Sequence, residues 1–249
     1  MNKIALVTGA SSGIGKACAT ALLHEGWQVI FVGRRAELIE QAIAASGVAS
    51  SGAVAMPCDV TDAQAVRALF DAVQQRFGRL DLLFNNAGVS PRATTPDDLS
   101  AREWDAGIAV NLSGAFYCLS NAFRLMRAQS PQGGRIINNG SISAHTPRPG
   151  SIAYTASKHA VAGMTKTAAL DGRPFDIAVG QIDIGNVASD MTSRMASGVP
   201  QADGSIKPEP RMDMQGVVDT FMAMVRLPLS ANVLFTTVMA TKMPFVGRG

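Results

Sequence analysis

The chain is poor in the residues that hold metals or staple small proteins. Its 249 residues include three cysteines and three histidines. Cys18, Cys58 and Cys118 are scattered and odd in number, which excludes a disulfide framework and gives no metal-ligand spacing. They are expected to be small buried hydrophobes in a reducing compartment. Charged residues make up 16% of the chain and the net charge is only +3, so neither nucleic acid nor an acidic membrane surface is expected as a partner. No apolar run approaches the ~20 residues of a membrane span. A strand pattern opens within three residues of Met1, leaving no room for a secretion signal, so the expected location is the cytoplasm. Aromatic residues are only 6%, and two of them are tyrosines. Each tyrosine can therefore be weighed individually.

What is present is a steady alternation. Short apolar runs over 4–8, 28–32, 54–58, 80–85, 134–139, 176–182 and 233–237 read as strands. Between them lie helical patterns over 15–25, 36–45, 63–77, 103–127, 154–170 and 214–227. Strand–helix alternation with β-rich apolar runs predicts an α/β fold: a mostly parallel, seven-stranded sheet with helices on both faces. No repeat, low-complexity tract or linker divides the chain, so 1–249 is expected to form one domain. One irregular stretch runs from Gly185 to Asp213 and contains Gly198-Val199-Pro200 and Lys207-Pro208-Glu209-Pro210. Because it follows the end of the sixth strand, where open α/β sheets bind ligands, it is expected to be a substrate lid; a plain surface excursion is the alternative.

Two motifs carry chemistry. The first is Thr8-Gly9-Ala10-Ser11-Ser12-Gly13-Ile14-Gly15, where a strand turns into a helix. Glycine permits φ > 0 and close approach of a ligand, and the helix start points free N–H groups and a positive dipole end at an anion. A tight turn without a ligand is the plainer reading; the strand before it and the helix after it favour a dinucleotide. The second motif is Tyr154-Thr155-Ala156-Ser157-Lys158. Residues four apart share a helix face. A tyrosine in water titrates near pH ~10 and is a poor base, and an ammonium one turn away favours the phenolate. The other tyrosine, Tyr117, has Asn121 at the matching position.

The glycine spacing differs from the commoner Gly-x-Gly-x-x-Gly fingerprint and resembles the cofactor loop of the short-chain dehydrogenase/reductase family. The resemblance continues with Asp59-Val60 after strand three, Asn86-Ala87-Gly88 after strand four, and Asn111, Ser141, Tyr154 and Lys158 at the positions of the family's catalytic four. It covers residues 3–190 and, more loosely, the remainder. It implies a Rossmann-like, doubly wound sheet. Gly9, Ser11, Ser12, Gly13, Ile14 and Gly15 would cradle the phosphates of the cofactor. Asp59 and Val60 would meet its adenine. Asn86, Ala87 and Gly88, with Tyr154 and Lys158, would line its path, and Gly185, Val187 and Ser189 would hold its nicotinamide end. Asn111 would kink its helix and anchor a water linked to Lys158. Ser141 would orient a carbonyl oxygen as a donor placed where negative charge develops, with Ser143 a nearby competitor. A carbonyl–alcohol interconversion follows, with Tyr154 as general acid and base and no metal. A non-catalytic redox sensor on the same fold is the alternative.

After strand two the chain reads Val32-Gly33-Arg34-Arg35. Gly33 stands where NAD-preferring relatives carry Asp and cannot hold a ribose diol. Arg34 and Arg35 can meet a 2′-phosphate, so NADP(H) is expected over NAD(H); Arg35 reads equally well as a solvated helix-start residue. After strand six, Asp183-Ile184-Gly185 departs from the family's Pro-Gly. Losing the proline returns an N–H, and a more mobile loop is expected. Asp183 is expected to cap or pair with a neighbour. His145, Arg148, Ile152, Val187, Met191 and Met195 form the expected pocket wall for a partly apolar small molecule. His145 is either a substrate ligand or a packing residue. Met191 and Met195 are either an adaptable lid or a helix stripe. The apolar stretches over 233–238 and 243–247 and the two long helices imply, by the same resemblance, a homo-oligomer, a tetramer with twofold axes.

Overall fold

The first strand shows how the fold is built. In the computed structural model, which describes residues 3–48 and 52–246, β1 (Ile4–Thr8) is buried throughout. Its side chains alternate between two cores. Ala5 and Val7 join one cluster with Cys18, Leu22, Ile39, Val217 and Phe221. Ile4 and Leu6 join the other with Val66, Phe70, Leu119, Ala122 and Ala168. A strand buried on both faces can only lie in the middle of a three-layer sandwich.

The elements follow in the order α1 (Gly13–His24), β2 (Gln28–Gly33), α2 (Ala36–Ala44), β3 (Ala53–Pro57), α3 (Ala63–Phe77), β4 (Leu82–Asn85), α4 (Ala101–Ile108), α5 (Ala115–Ala128), β5 (Gly134–Asn139), α6 (Ile152–Gly172), β6 (Ile177–Gly185), α7 (Arg194–Ser197), β7 (Val199–Pro200), β8 (Ile206–Lys207), α8 (Met214–Arg226) and β9 (Phe235–Met239). The sheet order is β3-β2-β1-β4-β5-β6-β9, and every pair in it is parallel. Strand order reverses at β1, so β1 and β4 diverge and open a crevice at their carboxyl ends. The Rossmann-like, doubly wound sheet is thus present, wholly parallel rather than mostly so. β7 and β8 form a separate antiparallel pair.

Local chemistry sets several boundaries. Asp62 accepts from the N–H groups of Gln64 and Ala65 to start α3, and Gly78 ends it at φ 74°, as an αL residue does. Ser100 and Glu103 form a reciprocal capping box at α4. Phe84 and Phe221 meet with ring centroids 4.5 Å apart, pinning α8 to the sheet. Burying a side chain of that size contributes about 1.5–3 kcal/mol.

Three expectations are corrected. The helix expected over 103–127 is two helices separated by a π-helical stretch, Ala109–Gly114. β6 does not stop at 182. Asp183, Ile184 and Gly185 pair with Thr237, Val238 and Met239, so β9 also sits two residues further along than expected. Ile184 is 8% exposed and lies inside the ladder, a place from which proline is disfavoured. The stretch from Gly185 to Asp213 is likewise not a bare loop. It holds a 3-10 turn at Asp190–Thr192, then α7 and the β7–β8 hairpin. Val187 bridges to Met212 at its return.

Candidate active site

A cavity of about 490 Å³ occupies the crevice at the carboxyl ends of the strands. One end is built by the glycine turn. Gly9 and Gly13 have φ of 66° and 52°, which glycine alone adopts without strain. A Cβ on Gly15 would overlap the Gly9 carbonyl and Asn86 Nδ2, so Gly15 packs the turn from behind instead of lining the cavity. A Cβ on Gly13 would meet nothing within 4 Å. Ser12, at the N-cap of α1, makes no side-chain cap hydrogen bond, and the first turn carries no acidic residue. The helix start is therefore open to an anion. Ser11, Ser12, Gly13, Ile14, Arg34, Arg35, Asp59 and Val60 line this end. The open cradle and the bare helix terminus fit a dinucleotide.

The floor ties β1, β4 and β5 together. Thr8 Oγ1 accepts from the N–H groups of Asn86 and Ala87, both at 2.9 Å. Asn86 Nδ2 donates to the Thr8 carbonyl at 2.9 Å, and Asn139 Nδ2 donates to Asn86 Oδ1 at 2.8 Å. Asn86, Ala87 and Gly88 all face the cavity. Cys58 lies nearby, and burial first, then Asp59 and Asp62, push its thiol up to about 11. It stays protonated at neutral pH and is no nucleophile.

The other end holds the tyrosine motif. α6 presents Tyr154 and Lys158 to the cavity, with the ammonium 5.6 Å from the centre of the tyrosine ring. Lys158 Nζ donates to the Asn139 carbonyl at 2.7 Å, which fixes its long side chain. Asn111 sits in the π-helical stretch, 2% exposed. Its Oδ1 accepts from Val89 N–H at 2.8 Å, and its Nδ2 donates to the Val89 carbonyl at 2.9 Å and to Ser157 Oγ at 3.4 Å. It stands behind the cavity wall and joins the chain after β4 to α6.

Ser141 follows β5 and lines the cavity. Its Oγ accepts from Ser143 N–H at 3.1 Å, which leaves the hydroxyl proton available to another acceptor. Its own N–H donates to Asp183 Oδ1 at 2.9 Å. Asp183 is wholly buried. It also accepts from Gln181 Nε2 at 2.7 Å and pairs with His145 Nε2 at 2.8 Å. Asp183 thus holds the His145 ring, and His145 is not among the residues that line the cavity. Asp183 itself does pair with a neighbour, as expected. Its signal in the sequence is an acid between two isoleucines at a strand end.

The remaining predicted residues converge. Ser143, Ile152, Gly185, Val187, Ser189, Met191 and Met195 line the cavity. Met191 is half exposed, and Met195 lies on α7. Arg148 also lines it, and a buried carboxylate that sequence reasoning missed, Glu209, holds its guanidinium at 2.5 Å. Nothing local in Lys207-Pro208-Glu209-Pro210 announces burial. Among the described residues, no group of three or more His, Cys, Asp or Glu is placed to hold a metal ion. No helix there is long and apolar enough to cross a membrane.

The model of the short chain dehydrogenase family matches residues 3–199. The chain belongs to the short-chain dehydrogenase/reductase family. A 3beta-hydroxysteroid dehydrogenase of Mediterraneibacter gnavus is 41% identical over 169 residues, which cover 68% of this chain and 60% of that one. A 3-oxoacyl-(acyl-carrier-protein) reductase of Staphylococcus aureus is 39% identical over 204 residues, 79% of each. Among solved structures, 3-ketoacyl-(acyl-carrier-protein) reductase from Brucella melitensis, complexed with NADH, superposes with a TM-score of 0.84 at 23% identity over 96% of this chain and 98% of that one. That last likeness shows the fold. The family membership makes this short-chain dehydrogenase/reductase an oxidoreductase acting between CH–OH and C=O.

Proposed function

We propose that the protein is an NADP(H)-dependent carbonyl reductase and alcohol dehydrogenase of a small neutral substrate. The observation that carries the reading is one continuous cavity with arginines and an open helix start at one end and Tyr154, Lys158 and Ser141 at the other. When bound, the dinucleotide supplies or accepts the hydride.

The chain's own residues do the rest. Arg34 and Arg35 receive the 2′-phosphate, and the Ser11–Ile14 turn receives the pyrophosphate. Ser141 donates to the carbonyl oxygen, where negative charge develops. Tyr154 passes its hydroxyl proton to that oxygen, and in the reverse direction its phenolate takes the proton back. Lys158, held by Asn139, keeps its ammonium beside the Tyr154 ring, where it favours the phenolate. Asn111 acts through the wall it builds, keeping α6 in register with the chain after β4. Asp59, Val60, Asn86, Ala87 and Gly88 flank the cofactor, and Gly185, Val187 and Ser189 take its amide end. The stretch from Gly185 to Asp213, with Met191 and Met195, is the lid. Exposed Phe116 on α5, Leu170 on α6 and Leu234 beside β9 support subunit contacts, as expected of a homo-oligomer. Gly247 of the apolar tail lies outside the described residues. A cytoplasmic location accords with this chemistry.

The test is NADPH oxidation, followed by absorbance, against ketones, aldehydes and β-keto esters, with NADH in parallel. Turnover that is lost by Tyr154→Phe while NADPH affinity is kept supports the reading. NADPH binding with no turnover across the panel moves the weight to a sensor, and absence of NADPH binding refutes the reading.

A further inference from the structure

Among the described residues, five cationic side chains line the cavity: Arg34, Arg35, Arg92, Arg148 and Lys158. The first two stand after β2, at the phosphate end, and Lys158 is fixed on Asn139. Arg92 and Arg148 belong to the loops after β4 and β5. Each of these two is matched by a carboxylate of the chain. Arg92 pairs with Glu103 at 3.0 Å on the surface. Arg148 pairs with Glu209, whose side chain is 1% exposed against 15% for the arginine.

The Glu209 site is built with care for its charge. Oε2 accepts from Arg148 Nη2 at 2.5 Å and from Asn186 Nδ2 at 2.7 Å. Oε1 accepts from Gln201 Nε2 at 3.1 Å. Asn186 also accepts from Arg148 Nη2 at 2.7 Å and is held at φ 46°. Glu209 N–H donates to the Met195 carbonyl at 2.9 Å. A buried charge is retained only when it is paired and hydrogen-bonded. Here an arginine, an asparagine and a glutamine converge on one carboxylate just behind the wall that Arg148, Asn186 and Met195 present to the cavity.

We propose that Glu209 is a specificity-determining residue: its carboxylate fills the anion position that Arg148 and Asn186 would otherwise offer a substrate, so the pocket takes neutral carbonyl compounds and their alcohols and rejects keto acids and hydroxy acids. This deepens the reductase reading and rests on it. A substrate carboxylate brought to Arg148 would displace Glu209 or stand beside it, leaving two like charges in a water-poor site. An electroneutral ketone or ester meets neither penalty.

The experiment compares β-keto methyl esters with their free acids, over a series of chain lengths, by calorimetric titration of the NADPH-loaded protein. The wild type is expected to bind at least one ester tenfold or more tighter than its acid. Glu209→Gln is expected to raise affinity for that acid at least tenfold, with the ester within threefold. The double variant Arg148→Met with Glu209→Leu removes both charges; it is expected to keep the wild-type ranking even if the single variant folds poorly. No ester binding better than its acid in the wild type overturns the proposal, as does an equal shift of both ligands in Glu209→Gln. Turnover is recorded separately in the same proteins. A failed reductase reading therefore appears as missing Tyr154-dependent oxidation, while the titrations still rank ester against acid.

Discussion

Removing the buried carboxylate under Ser141 should separate a positioning role from mere space filling. In Asp183→Ala, the Ser141 N–H and Gln181 Nε2 lose their acceptor inside the protein. His145, half exposed, can turn to water. Each orphaned buried donor costs about 1–3 kcal/mol, so the variant should lose about 2–6 kcal/mol. Asp183→Asn keeps one oxygen for the two buried donors and meets His145 through an amide, so its loss should be about 1 kcal/mol. At about 2–4 °C per kcal/mol for a chain of this size, the alanine variant should melt on the order of 10 °C lower and the asparagine variant only a few degrees lower. Gly140→Ala approaches the same defect from the other side, since its Cβ would overlap Asp183 Oδ1 and Gln181. The assay is chemical denaturation followed by circular dichroism, with kcat/KM and NADPH affinity measured on the folded protein. All three variants should lower kcat/KM by loosening the loop that carries Ser141, while NADPH affinity, set at the far end of the cavity, stays within threefold. Asp183→Ala within 1 kcal/mol of wild type, or indistinguishable from Asp183→Asn, refutes the reasoning.

Three further outcomes follow from the site. Arg34→Ala should weaken NADPH binding at least tenfold more than NADH binding in parallel fluorescence titrations, because only the former carries the 2′-phosphate; equal losses refute it. Gly15→Ala should abolish binding of both dinucleotides, since the added methyl meets backbone; a gel-filtered, folded variant that still binds NADPH contradicts this. Burial pushes the thiols of Cys18 and Cys118 up, and Cys58 up to about 11. The unfolded chain therefore releases these protons first as pH rises past ~8.5, so stability is intact below that pH and falls above it. Melting temperatures from pH 7 to 10 should decline on the alkaline side, and replacing all three cysteines with alanine should flatten that decline.

The parts of the site legible in the sequence are those whose chemistry is local. The glycine turn needs φ > 0 within a few residues, and Tyr154 and Lys158 share one face of one helix, so both are written in contiguous spacing. What escaped depends on distant partners. β6 runs to Gly185 only because β9, some fifty residues on, continues beside it, and this carries Asp183 into the interior. A break at Asn111 is implied by the resemblance, but its π-helical form reflects both bonds to Val89, which no helical periodicity reports. His145 reads in the sequence as either ligand or packing residue, because its carboxylate partner lies on another strand. Glu209, between two prolines in a polar stretch, is buried by Arg148, Asn186 and Gln201, and nothing in its neighbours marks it.

The ends of the excursion after β6 meet again. Ala188 N–H donates to the Met212 carbonyl, and Met212 N–H donates to the Asn186 carbonyl. The chain thus leaves the sheet and comes back at one clasp, like a pendant on a ring. Lengthening a closed loop costs only about 0.6 kcal/mol per doubling, and the parallel ladder is not part of the circuit. The segment behind the clasp is a cassette tied to the rest at the clasp and at the Glu209 pair with Arg148: an exchange of length and chemistry that provides for both should leave the glycine turn and Tyr154 where they are. One scaffold can in this way be given a new appetite without being refolded.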